Sequence, residues 1–229
     1  MYIPLFAASL AAQDPDALYA DRANLASARQ AVDIWSARVA AGGSGAFESA
    51  WKLARVCYWL GSNGTEAERR NWLERGMEAA RQAVTAMPER PEGHFWLAAN
   101  MGTLAESFGV RAGLKYRKPI REELETVLRI DPGFMQGSAD RALGRWYDKV
   151  PRLFGGNAAK AEEHLRASLK YDPHSTITHY FLAELYVDEG RKADARAELQ
   201  QVIDAPLSTD YAPEDRNYKE KARQLLAKL

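Results

Sequence analysis

AARQAVTAMP (79–88), ELETVLRIDP (123–132), HLRASLKYDP (164–173) and ELQQVIDAP (198–206) are four amphipathic runs, each of which closes on a proline. Apolar residues recur in them at helical spacing, and proline ends each run because it has no amide hydrogen with which to continue a helix. One motif met four times means one supersecondary unit stacked on itself. The pattern predicts an all-α array of helical hairpins.

The last copy is the most regular. Leu182, Ala183, Tyr186, Gly190, Ala195, Leu199 and Pro206 fall near the small, large and turn places of a tetratricopeptide (TPR) unit of about 34 residues. Small side chains at Ala183 and Ala195 let two antiparallel helices touch, and Leu182, Tyr186 and Leu199 fill the space around that contact. Working backwards, Asp21 to Ala41 reads as the second helix of a degenerate first hairpin, with Asn24 as N-cap and Gly42-Gly43 as the stop. Phe47 to Leu60 and a helix opened by a Thr65/Glu68 capping box form the second hairpin.

The third hairpin starts at Glu92, with Ala98, Ala99, Gly102 and Ala105 as small contact residues. From Ala98 to Pro132 is 34 positions where a regular unit has about 24, which predicts an inserted loop around Gly109 to Tyr116. Gly144 and Ala161 are 17 apart instead of about 12, which isolates VPRLFGGN as a second insertion. There Leu153 and Phe154 are expected to pack back on the hairpins while Gly155 and Gly156 turn the chain into a helix capped by Asn157, making the loop a rim of the binding surface. Residues 16–229 are read as one TPR-like repeat domain, closed by a charged C-terminal helix from Glu214 with a polar outer face.

Composition narrows the functional classes. The chain has 229 residues, is 46% hydrophobic, and carries 31 basic against 31 acidic side chains, so no net field draws it to nucleic acid. Its single cysteine, Cys57, excludes an intramolecular disulfide and reads as an inert core thiol. Residues 1–15 hold an apolar run, YIPLFAASLAA, that reads as a signal-peptide remnant cleaved near Ala12 or as a short arm docking on the first repeat. It is too short to span a bilayer, and no other segment is apolar enough, so the mature body is expected to have no membrane span.

No catalytic constellation stands out, so an enzyme is not expected, and neither is a cofactor. His94, His164, His174 and His179 lack the paired spacing of a metal site, and Gly155-Gly156-Asn157 lacks the lysine and preceding strand of a phosphate loop. Aligning Ala54, Ala98, Gly144 and Ala183 as the eighth place of successive hairpins puts Trp51, Arg55, Tyr58, Phe95, Ala99, Arg141, Arg145, Asp148, Tyr180 and Glu184 on the concave face. Of these, Trp51, Arg55, Tyr58, Phe95, Arg141, Arg145, Tyr180 and Glu184 are the candidate contacts, because arginine and aromatic side chains dominate binding energy at surfaces. The arginines would meet carboxylates or carbonyls of a protein partner. The alternative use is a carrier holding a hydrophobic small molecule in a cleft between hairpins.

The run Glu92-Gly93-His94-Phe95-Trp96-Leu97-Ala98-Ala99-Asn100-Met101-Gly102, then Arg141-Ala142-Leu143-Gly144-Arg145-Trp146-Tyr147, Val150-Pro151, Gly155-Gly156-Asn157 and Lys160-Ala161, resembles the T-component family of TRAP transporters. The resemblance covers roughly residues 16 to 205, in motif order. It implies an irregular TPR-like fold, a periplasmic or otherwise exported location with the cytoplasm as the alternative, and homo-oligomers in some members. It also implies partnership with a TRAP solute-binding protein and a cleft or pore able to hold a hydrophobic ligand. A lipobox cysteine is absent from the sequence as it stands.

Overall fold

A computed structural model describes residues 13–229, and among them every regular element is helical. The expected leader remnant and its cleavage point lie outside the described residues. The chain divides into two compact units, Met1–Thr126 and Val127–Leu229.

The first unit contains α1 (Pro15–Ala20), α2 (Leu25–Ala41), α3 (Ala46–Asn63), α4 (Glu66–Ala86), α5 (Pro91–Ser107) and most of α6 (Gly109–Ile130). Asn24 caps α2 by accepting the Ala26 amide at 3.1 Å, and Gly42 and Gly43 stop it at φ of 69° and 86°, a region closed to most side chains. Helix α3 is the centre of the unit, packing against α2, α4 and α5. Its inward face, Leu53, Ala54, Val56, Cys57 and Leu60, is at most 5% exposed. The capping box at α4 forms differently from its usual pattern. Thr65 donates its hydroxyl to Glu68 Oε2 at 2.7 Å instead of accepting the Glu68 amide, which bonds the Thr65 carbonyl at 3.2 Å.

Asn100 ties three helices together. Fully buried on α5, it donates Nδ2 to the Trp96 carbonyl at 2.7 Å and to the Ala54 carbonyl of α3 at 3.2 Å. Its Oδ1 has no hydrogen-bond donor and lies 2.2 Å from where a side-chain carbon on Gly76 of α4 would be. Glycine there leaves room for the amide oxygen, which a side chain would displace. The other close approach between α4 and α5 is at Gly93, against Val84. Gly102, expected as a contact residue, faces open space instead.

The expected loop at 109–116 is a correction. The surplus residues extend α6 from Gly109, which starts the helix at a φ of 77°, and Pro119 sits inside it. Ile120, Leu124 and Val127, spaced as one face of a helix, are at most 7% exposed. Added helical turns satisfy their own backbone hydrogen bonds, whereas a loop of the same length would not.

The second unit contains α7 (Phe134–Lys149), a 3₁₀ turn at Arg152–Phe154, α8 (Ala158–Ser168), α9 (Thr176–Asp188), α10 (Lys192–Asp204) and α11 (Ala212–Leu226). Helix α7 begins with Met135, Gln136 and Gly137 all at positive φ. Helices α7 and α8 touch at Gly144, whose missing Cβ would meet Leu165 at 2.5 Å and the Ala161 carbonyl at 3.0 Å. Ala183, Ala195, Leu182, Leu199 and Tyr186 are all at most 1% exposed, as the regular unit requires. Tyr186 donates to Glu162 at 2.8 Å, and Arg191 and Arg166 bond the same carboxylate at 2.8 and 2.9 Å. Helix α11 packs on α9 and α10, and Lys219 reaches the carbonyls of Val202, Ile203 and Ala205 at the open end of α10.

Candidate functional site

The inserted segment 150–157 divides in two. Gly155 adopts a φ of 110°, Gly156 lies where a Cβ would stand 1.6 Å from the Val150 carbonyl, and Asn157 caps α8 by accepting the Lys160 amide at 2.9 Å. The turn therefore needs both glycines, by different mechanisms. Leu153, however, is 86% exposed and does not pack inward as expected, whereas Phe154, at 38%, is more than half covered. The 3₁₀ turn points Leu153 to solvent, and Arg152 is held to Glu189 at 3.2 Å.

In the first unit, Trp51, Arg55 and Tyr58 lie along α3, half-buried. The Arg55 guanidinium sits 3.8 Å from the Tyr19 ring centroid and 5.0 Å from that of Trp51, so aromatic rings pack against it. Its Nη2 reaches Asp16 Oδ1 at 3.4 Å, and Lys52 Nζ reaches Asp16 Oδ2 at 2.6 Å. Tyr58 packs on Trp96 with centroids 5.5 Å apart. Phe95 also meets Trp96, edge-on at 5.0 Å, but is only 8% exposed, so it belongs to the core and not to the accessible face.

In the second unit, Arg141 and Arg145 stand one turn apart on α7, and Tyr180 and Glu184 one turn apart on α9, all half-buried. Arg145 bonds Glu184 at 2.5 Å and lies 4.7 Å from the Phe181 ring centroid. Tyr180 packs on Tyr218 at 5.4 Å, and its hydroxyl is pushed up to about 12, first by burial and then by the Glu184 charge.

Asp16–Arg55 and Arg145–Glu184 are both separated by 39 residues. Counted from the register residues Ala54, Gly144 and Ala183, Arg55, Arg145 and Glu184 occupy the ninth place of their hairpins, and Asp16 stands at the same 39-residue offset before Arg55, so each unit carries one arginine–carboxylate pair between two of its helices. Two of the arginines expected to meet a partner are thus already paired within the chain. Asp16, Tyr19 and Lys52 were not among the candidates. Opposite charges recurring at a constant offset would have pointed to Asp16, but nothing local marks Tyr19.

Three of the four histidines hold side-chain partners within the chain. His94 holds Glu123 and the Pro88 carbonyl, His179 holds Glu198 and the Pro173 carbonyl, and His164 bonds Asp140 at 2.7 Å while stacking on Tyr147. Among the described residues no group of three His, Cys, Asp or Glu is placed to hold a metal ion. No helix among them is long and apolar enough to cross a membrane.

The profile of the TRAP transporter T-component family matches residues 92–229, more than half of the chain. The chain belongs to that family. A second profile, Regulator of microtubule dynamics protein 1-3, matches residues 16–153. The curated relatives include Regulator of microtubule dynamics protein 3 of Xenopus laevis, 25% identical over 78% of this chain and 41% of the relative. The protein of the same name from Rattus norvegicus is 23% identical over 70% of this chain and 37% of its own length. The chain thus spans about two fifths of these relatives. Among solved structures, a thermophilic TPR protein of Thermus thermophilus aligns with a TM-score of 0.69 at 20% identity, covering 93% of this chain and 97% of the other. MamA aligns with a TM-score of 0.52 at 13% identity, covering 96% and 99%. These alignments show the fold, a TPR-like helical-hairpin solenoid.

Proposed function

We propose that this protein is a non-catalytic scaffold that serves as the accessory T-component of a TRAP-type transporter, binding its solute-binding protein through the concave helices. The observation that carries the reading is the T-component match over 92–229, which includes the arginine- and aromatic-bearing helices α7 and α9. The TPR-like fold supports it, since hairpin arrays present extended concave surfaces for protein partners. Residues 16–229 act as one repeat domain in this reading. Its setting is the periplasm, with the cytoplasm as the alternative that a microtubule-regulator likeness would favour.

The test is binding of the purified chain to the purified solute-binding protein of a TRAP transporter from the same source, followed by surface plasmon resonance. Saturable binding that weakens on Arg141→Glu and Tyr180→Ala is expected. Absence of binding by a chain that melts cooperatively would overturn the transporter reading. A small apolar mass released from the purified chain on organic extraction, seen in native mass spectrometry, would favour the carrier instead.

A further inference from the structure

We propose that Arg55 and Lys52 form a recognition site for an acidic peptide segment of a protein partner, and that Asp16 occupies this site as an internal stand-in while the protein is free. The proposal rests on the scaffold reading above, and adds the chemistry of what the first unit binds.

The first argument is the under-use of Arg55. A guanidinium packed against rings can make hydrogen bonds only in its own plane. Tyr19 at 3.8 Å and Trp51 at 5.0 Å cover it, and the side chain is 19% exposed. Of its in-plane donors, Nη2 has Asp16 at 3.4 Å, well beyond the roughly 2.7–2.9 Å of a charge-assisted bond, and Nε is buried with no partner. The fork is thus held by aromatic groups while the carboxylate it faces, which Lys52 binds at 2.6 Å, meets Arg55 only at long range.

The second argument is the contrast with the other unit. Arg145 meets Glu184 at 2.5 Å, with the acid 26% exposed and mounted mid-way along α9. Asp16 is 45% exposed and stands on α1, a helix of six residues. The arginine–carboxylate contact is thus short in one unit, and long with a more exposed acid in the other.

The third argument is charge. Lys52 lies 2.6 Å from both Asp16 and Glu48, and is 4.9 Å from the Trp35 ring, which Arg38 approaches at 4.8 Å. Three cations, Arg38, Lys52 and Arg55, thus share this aromatic wall with two carboxylates. An incoming acidic side chain would take the Asp16 position, while Asp16 swings to solvent by side-chain rotation alone. Half-buried Trp51 and Tyr19 supply apolar contact beside it.

The experiment uses the whole chain and a fluorescein-labelled heptapeptide, Ser-Glu-Leu-Glu-Leu-Glu-Ser, with its glutamine counterpart, read by fluorescence anisotropy. Asp16→Asn removes the stand-in and is expected to tighten binding of the glutamate peptide by about tenfold. Damage to the fold would weaken binding, so a gain is diagnostic; Asp16→Ala serves as a second variant. Arg55→Lys keeps the charge but loses the planar fork, and should weaken binding by about tenfold. Equal affinity of both Asp16 variants and the wild type, or equal binding of the glutamine peptide, would overturn the proposal. So would a gain shown only by a single-stranded oligonucleotide of equal charge, which would make the site a phosphate site. The probe contains no transporter component, so loss of the solute-binding-protein interaction and failure of this site are separate results.

Discussion

His179 Nδ1 lies 2.6 Å from Glu198 Oε2 and its Nε2 lies 2.9 Å from the carbonyl of Pro173, so both ring nitrogens face oxygen atoms. Both bonds form together only when the ring is the imidazolium ion or the carboxylate carries the proton. Burial opposes the charge on His179, but the Glu198 and Pro173 bonds outweigh it and raise its pKa above the usual 6.5. A raised histidine contributes stability that is fully present below the unfolded value and is lost as pH rises through the folded one. Melting temperature should therefore fall as pH rises from about 6.5 through the raised folded-state value. In His179→Gln, calorimetry across that window should show a flatter profile; an unchanged slope would remove His179 as the cause.

Gly76 and Gly102 make a matched pair. Gly76→Ala drives a methyl group into Asn100, whose amide already bridges α3 and α5, and overpacking of this kind costs about 1–3 kcal/mol. Gly102→Ala meets nothing and should stabilise by up to about 1 kcal/mol through helix propensity. Urea denaturation of the two variants should move in opposite directions.

The turn at 155–156 predicts a graded response. Gly155→Ala should cost about 1 kcal/mol, because alanine resists a φ of 110°. Gly156→Ala should cost more, because its methyl group would overlap the Val150 carbonyl and the backbone must move. Equal costs in chemical denaturation would show that the close approach is not maintained in solution.

Ala183→Trp should be more damaging than any of these glycine replacements. Ala183 is fully buried against Leu199, Val202 and Ala222, so an indole there must separate α9 from α10 and α11, at a cost of about 3 kcal/mol or more. Near-wild-type melting would disprove the packing of this hairpin.

Cys57 offers a probe of unfolding. Burial pushes its thiol up to about 12, with Arg75 opposing only weakly, so little thiolate exists near pH 8. A thiol-reactive dye should label it only as fast as the first unit opens, and labelling should accelerate in Gly76→Ala.

The repeat was legible in the sequence because its signals are local. Proline stops, caps at Asn24 and Asn157, and small residues at Gly144, Ala161, Ala183 and Ala195 act within one hairpin, and the structure places them as their spacing requires. Length surplus was legible too, but not its form: the extra residues after Gly109 became helix, and Leu153 turned outward. The choice between loop and helix depends on whether an apolar face finds a core to cover, which spacing alone does not reveal.

The helical array and the glycine turn into α8 were readable from residue order alone, because both rest on local spacing. Which of the candidate contact residues are already engaged within the chain followed from how the helices pack. Phe95 went to the core, Arg145 was closed by Glu184, and Arg55 was set beside Tyr19 and Asp16. Helical periodicity fixes the direction of a side chain about its own axis, but the charge that meets Arg55 or Arg145 comes from another helix, 39 residues away, placed by the stacking of one hairpin on the next.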